Sequence, residues 1–153
     1  MDFIGDGKKA YAYTANHAPE ASLPTIVFVH GAGLDHSWWA LQSRYFGYHK
    51  RNVLAVDLPG HGRSEGPPLG SIEALADWVM RLLDAAKLDQ AAIVGHSMGS
   101  LVALDCAARF PGRVTHIALV GTAYPMKVSE SFLSAAKNND QSAYDMETIW
   151  GHA

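Results

Sequence analysis

A serine between two glycines, Gly95-His96-Ser97-Met98-Gly99, follows the apolar run Ala91-Ala92-Ile93-Val94 and precedes a helical pattern. A strand that turns abruptly into a helix at a serine is a nucleophile elbow, which holds the hydroxyl out over the sheet edge. The glycines have a mechanical reason. A side chain at Gly95 or Gly99 would meet neighbouring backbone, and the serine between them takes strained φ/ψ angles. The chemistry such a hydroxyl serves is attack on a carbonyl carbon, giving an acyl-serine intermediate. A second segment fits that chemistry: His30-Gly31-Ala32-Gly33 stands at the carboxyl end of the run Thr25-Ile26-Val27-Phe28-Val29, where ligands bind in open α/β sheets. The backbone amides of Ala32 and Met98 are therefore candidates for an oxyanion hole, in which one donor is typically worth about 2.7–4 kcal/mol in the transition state. His30, Gly31, Trp38 and His96 are candidates for the substrate pocket. Taken alone, His30-Gly31 also reads as a tight strand exit with a core histidine, and Trp38-Trp39 as helix-to-sheet packing.

The elements that must position these residues are legible as an alternation. Apolar runs at 25–29, 52–56, 91–94 and 114–120 read as strands, and Lys8 to Tyr13 as an outer one. Continuous apolar strands separated by helices indicate a parallel sheet covered on both faces. The clearest helix begins after Ser71, a candidate N-cap with Glu73 in the first turn. It places Ile72, Leu75, Val79, Leu82, Leu83 and Ala86 on one stripe. Further helices are expected from Ser37 to about Tyr45 and from Met98 to Phe110, the latter ended by Pro111-Gly112. The expected fold class is α/β, a doubly wound, mostly parallel sheet with right-handed crossovers. After Tyr124 the pattern changes to two amphipathic helices around Asn138-Asn139-Asp140.

Composition narrows the partners. A chain of 153 residues with 18% charged residues and a formal charge of −3 gives no electrostatic reason to expect nucleic acid. No segment approaches the roughly 20 apolar residues that cross a bilayer, and the start lacks a basic region followed by an apolar core. No membrane association is expected, and a cytoplasmic protein is the default. The single Cys106 forms no internal disulfide and falls in an apolar helical run, so it reads as a buried packing thiol. Eight histidines invite a metal, but no H-E-x-x-H or C-x-x-C spacing is present. Neither a metal nor any other cofactor is expected.

Three stretches, His30-Gly31-Ala32-Gly33, Asp57-Leu58-Pro59-Gly60-His61-Gly62-Arg63-Ser64 and Gly95-His96-Ser97-Met98-Gly99, give the chain its resemblance to the α/β-hydrolase superfamily, in the esterase, lactonase and C–C hydrolase group. In order and spacing they resemble the front half of that pattern. The resemblance implies that Ser97 is the nucleophile and that Asp57 and His61 lie in a structural loop. It further implies that residues 1–123 are the N-terminal part of the core and 124–153 the start of a helical cap. In the family the order is serine, then acid, then histidine. After Ser97 the histidines here are His116, in mid-strand, and His152, and neither has the family's context. Asp140, Asp145 and Glu147 read as solvated faces. The sequence reading is thus a serine hydrolase for a small acyl substrate, truncated before the last strands, with acid and base beyond Ala153. Such a chain alone is expected to be nearly inactive, and to self-associate through an exposed sheet edge. A ligand-binding protein that kept the crevice without the chemistry, or a subunit completed by a second polypeptide, are the alternatives.

Overall fold

The computed structural model describes residues 1–5 and 7–150. Its elements, in order, are β1 (Asp2–Gly5), β2 (Lys8–Tyr13), β3 (Thr25–Val29), a 3-10 turn (His36–Trp39), α1 (Ala40–Tyr48), β4 (Asn52–Asp57), α2 (Ile72–Ala85), β5 (Ala91–His96), α3 (Met98–Arg109), β6 (Val114–Val120), α4 (Glu130–Lys137) and α5 (Gln141–Trp150). The six strands form one sheet in the order β1-β2-β4-β3-β5-β6. β4, β3, β5 and β6 run parallel, while β1 and β2 are antiparallel to their neighbours. After β3 the chain lays β4 on one side and β5 on the other. The sheet thus has its switch point beside β3, where an α/β crevice opens at the carboxyl ends of the strands.

The two faces of the sheet are filled differently. Val27, Val29, Leu54, Val56, Ala91 and Ile93 point to the face where Leu75, Val79, Leu83, Val102 and Cys106 complete the larger core. α2 binds this face through its apolar stripe, and its first turn is closed by Ser71, whose hydroxyl accepts the Ala74 N–H at 3.1 Å. The opposite face holds a smaller cluster of Phe28, Trp39, Val53 and Ala55, with Phe46 of α1 and Ile26 beside it. Cys106 is buried, and desolvation pushes its thiol up to about 12, which makes it an inert packing group.

Three differences from the sequence reading have local causes. β1 was not foreseen, because four residues are too few to show a period; it exists through its pairing with β2. The helix expected from Ser37 begins as a 3-10 turn, with the Asp35 carboxylate accepting the Ser37 N–H at 2.7 Å, and runs on to Tyr48. β5 stays extended through His96, so the reversal falls on Ser97 itself.

The chain forms two compact units, 1–122 and 123–153. The second contains α4 and α5. Ser129 caps α4 by accepting the Phe132 N–H, and Asp140 accepts the Ser142 N–H as α5 begins. Among the described residues no helix is long and apolar enough to cross a membrane.

Candidate active site

Ser97 occupies the single residue between β5 and α3 and adopts φ 51°, ψ −119°. That left-handed backbone is unfavourable for any residue with a Cβ and costs of order 1–3 kcal/mol. It is held by its surroundings. The Ser97 N–H donates to the Val120 carbonyl at 2.9 Å, and the Ser97 carbonyl accepts from both the Ser100 N–H and hydroxyl. A Cβ at Gly95 would fall on the Gly99 carbonyl, and one at Gly99 would lie 2.6 Å from the His30 carbonyl oxygen. The glycines thus let β5, α3 and the end of β3 approach more closely than any side chain allows.

That close approach brings the second motif to the elbow. A Cβ built on Gly31 would stand 3.3 Å from Ser97 Cβ and 3.1 Å from His96 Nδ1. The exit of β3 is therefore in van der Waals range of the serine. Met98 opens α3, so its N–H belongs to the first helical turn, which has no intrahelical acceptor. Ala32 lies exposed just past Gly31. Ser97 is only partly covered, and α3 presents its positive N-terminal end at this point.

The four pocket candidates divide. Trp38 lies over the His96 ring with centroids 4.8 Å apart, and the two form an aromatic wall beside the elbow. Gly31 serves by lacking a side chain. His30 is fully buried, and both ring nitrogens are bound to backbone: Nε2 accepts the Leu58 N–H at 3.1 Å, so Nδ1–H donates to the Gly31 carbonyl at 2.7 Å. Burial lowers its pKa from the usual 6.5, which keeps the ring neutral. His30 offers no polar atom to a substrate and acts as a core histidine tying two strand exits together.

Asp57 and His61 lie in the 58–64 loop and at its entrance. Asp57 is fully buried; its carboxylate accepts the His36 N–H at 2.7 Å, the His36 ring Nδ1–H at 2.8 Å and the Arg63 N–H at 2.8 Å. Its own carbonyl accepts the Ser64 hydroxyl at 2.6 Å. The role of His36 was not singled out from sequence, and nothing local marks it. Its partner lies 21 residues away.

No described histidine after Ser97 stands where a base is needed. His116 pairs with Ala92, whereas Val120 pairs with His96 next to the serine. Four residues of strand separate the two positions, about 13 Å. His152 lies outside the described residues. Asp140, Asp145 and Glu147 belong to the second unit. The large groove, about 760 Å³, is lined by Thr25, Ile26, Phe46, Ala91, Ala92 and His116 among others. These include the first residues of β3 and β5, so the groove opens at the end of the strands opposite Ser97. A shallower hollow of about 490 Å³, lined by Gly33, Leu34, Trp38 and Leu41, adjoins the Ala32 loop.

Known proteins resemble this chain in sequence and fold. The (E)-2-((N-methylformamido)methylene)succinate hydrolase of Acinetobacter baylyi is 28% identical over 138 residues, covering 88% of this chain and 52% of the relative. A dihydrolipoyllysine-residue acetyltransferase component of an acetoin cleaving system from Pseudomonas putida is 35% identical over 120 residues, 74% of this chain and 32% of the relative. Among solved structures, Est816, described as an N-acyl homoserine lactone degrading enzyme, superposes with a TM-score of 0.76 at 30% identity over 94% of this chain and 54% of its own. The enol-lactonase of Burkholderia xenovorans gives 0.69 at 30% identity, over 76% and 45%. The chain spans between about a third and a half of the length of the first curated relatives. The profile described as alpha/beta hydrolase fold matches residues 24–150, and this chain belongs to that family.

Proposed function

We propose that the chain carries the nucleophile and oxyanion hole of a serine hydrolase acting on small carboxylic esters or related acyl substrates. Ser97 attacks the carbonyl carbon to form a tetrahedral adduct whose oxyanion receives the N–H groups of Ala32 and Met98. Collapse of the adduct expels the alcohol, and water then hydrolyses the acyl-serine. The observation that carries this reading is the strained Ser97 backbone, locked between Gly95 and Gly99 with Gly31 against it. Strain of this kind persists only where the surroundings over-determine it.

The base and its carboxylate partner come from polypeptide outside these 153 residues, in the order serine, acid, histidine. Two structural neighbours at 30% identity are named for lactones, so lactones join simple esters among the substrates to try. Without a base the serine hydroxyl is a weak nucleophile. Acceleration is then limited to what the hole and binding provide, about 10³–10⁴-fold over water.

Two measurements test this. The purified 153-residue chain should hydrolyse p-nitrophenyl acetate or butyrate far below the roughly 10 s⁻¹ of a typical enzyme. A polypeptide extended by the natural downstream reading frame should label with a fluorophosphonate, and Ser97→Ala should abolish the label. Labelling that survives Ser97→Ala would sink the proposal.

A further inference from the structure

The loop that presents Ala32 is fastened at both ends to neighbouring residues at the exit of β4. At its start, His30 Nε2 accepts the Leu58 N–H. At its end, Asp57 accepts both the backbone N–H and the ring Nδ1–H of His36. Asp57 is fully buried, so the second anchor is fixed from inside the fold, whereas His36 is only partly covered. The His36 ring is also seated edge-on against Tyr11, with centroids 4.9 Å apart. Asp35, within the anchored stretch, accepts the Ser37 N–H and turns the chain into α1. Asp35, His36 and Asp57 offer three ligand atoms within 4.8 Å of one another, as a cation would require. The Asp57 oxygens already accept three N–H groups, however, and a cation would have to displace them.

The two oxyanion donors differ in how they are held. Met98 is the first residue of a twelve-residue helix and needs no further support. Ala32 sits in an exposed turn, closed by the Leu34 N–H donating to the Gly31 carbonyl at 3.4 Å, where Gly33 takes φ 68°. A donor contributes fully only when it is already aimed before charge develops. We infer that His36 is a positioning residue for the Ala32 amide: its grip on Asp57, opposite the His30–Leu58 anchor, holds residues 31–35 in the arrangement that turns this N–H toward Ser97. This rests on the acyl-transfer reading of Ser97.

The test compares the chain with His36→Ala and His36→Asn, the second of which keeps a side-chain N–H donor near the position of the ring Nδ1. Three quantities are read: the ¹⁵N–¹H resonances of Ala32, Gly33 and Met98, the residual p-nitrophenyl acetate hydrolysis, and the melting temperature. The expected result in His36→Ala is that Ala32 and Gly33 move or broaden while Met98 stays. Residual kcat should fall by about tenfold or more, towards the 10²–10³ that a lost donor costs, with KM little changed. His36→Asn should restore both. Ala32 and Gly33 unmoved, or Met98 moving equally with them, would overturn the inference, since a general loosening affects both sides of the hole. If the resonances respond as expected but fluorophosphonate labelling of the longer polypeptide survives Ser97→Ala, the loop anchor stands and the acyl-transfer reading falls.

Discussion

At one edge of the sheet, β1 contributes four residues, pairs antiparallel with β2, and carries an Asp2–Lys9 ion pair with β2 at 3.1 Å. At the other edge, β6 contributes seven residues, Val114-Thr115-His116-Ile117-Ala118-Leu119-Val120, with no Lys, Arg, Asp, Glu or Pro among them. β6 is parallel to β5, and among the described residues no further strand pairs with its outer side. Short and charged edges discourage pairing with other chains, whereas long, flat and apolar ones invite it. The first edge is thus constructed as a boundary, and the second has the composition of a strand buried on both faces. Ser97, the proposed nucleophile, lies nearer the second edge, since its N–H is held by Val120. What the open edge gains or loses on pairing therefore bears on the site.

The sharpest measure of this contrast is a pair of isoleucines. Ile93 of β5 and Ile117 of β6 are aligned neighbours in the ladder. Ile93 is 0% exposed and Ile117 38%. Ile93→Ala should destabilise the chain by about 2–5 kcal/mol, because a cavity opens in a closed core. Ile117→Ala should cost about 1 kcal/mol or less, since water already reaches the side chain. Urea unfolding of the two variants gives the numbers. Equal costs would mean that Ile117 is covered in solution, by a second copy of the chain, and would remove the distinction between the strands.

The same distinction predicts association. Ala118 is exposed and pairs with Val94, on the side of the sheet where only the smaller core cluster lies. Ala118→Lys should convert self-associated protein to monomer in sedimentation velocity, because a charge on a pairing strand opposes dry contact. Ile4→Lys, at a 69% exposed position on β1, should leave the distribution unchanged. A wild-type chain that is already monodisperse and monomeric at high concentration would show that β6 does not pair with a second copy.

How much of this was legible in the sequence depends on the range of the signal. The parallel strands, the α2 stripe and the elbow are local patterns of apolar residues, caps and glycines, and each could be read within about fifteen residues. The proximity of Gly31 to Ser97 could be expected only through the sheet order, because 66 positions separate them and no periodicity connects them. β1 escaped detection because its reason to exist is its partner. His30 was ambiguous between pocket and core, and only the Leu58 N–H on its far nitrogen decides the matter. The His36–Asp57 anchor left no trace, since a histidine in a polar loop looks the same whether or not a carboxylate waits beneath it.

The smallest expected effect asks whether the open edge loosens the elbow. If Gly95, Gly99 and the Val120 carbonyl hold Ser97 rigidly, its backbone stores about 1–3 kcal/mol of strain, which a glycine would not pay. Glycine also loses more chain entropy on folding, about 0.5–1 kcal/mol. The Ser97 side chain makes no capping hydrogen bond whose loss would have to be added. Ser97→Gly should therefore stabilise the chain by about 1 kcal/mol, a rise of roughly 2–4 °C in melting temperature for a domain of this size. A neutral or destabilising result would mean that Ser97 relaxes toward ordinary angles in solution. β6, with no further strand on its outer side among the described residues, would then not be rigid enough to hold Ser97 in place. Adding a strand to that edge, through a longer polypeptide, should restore the gain.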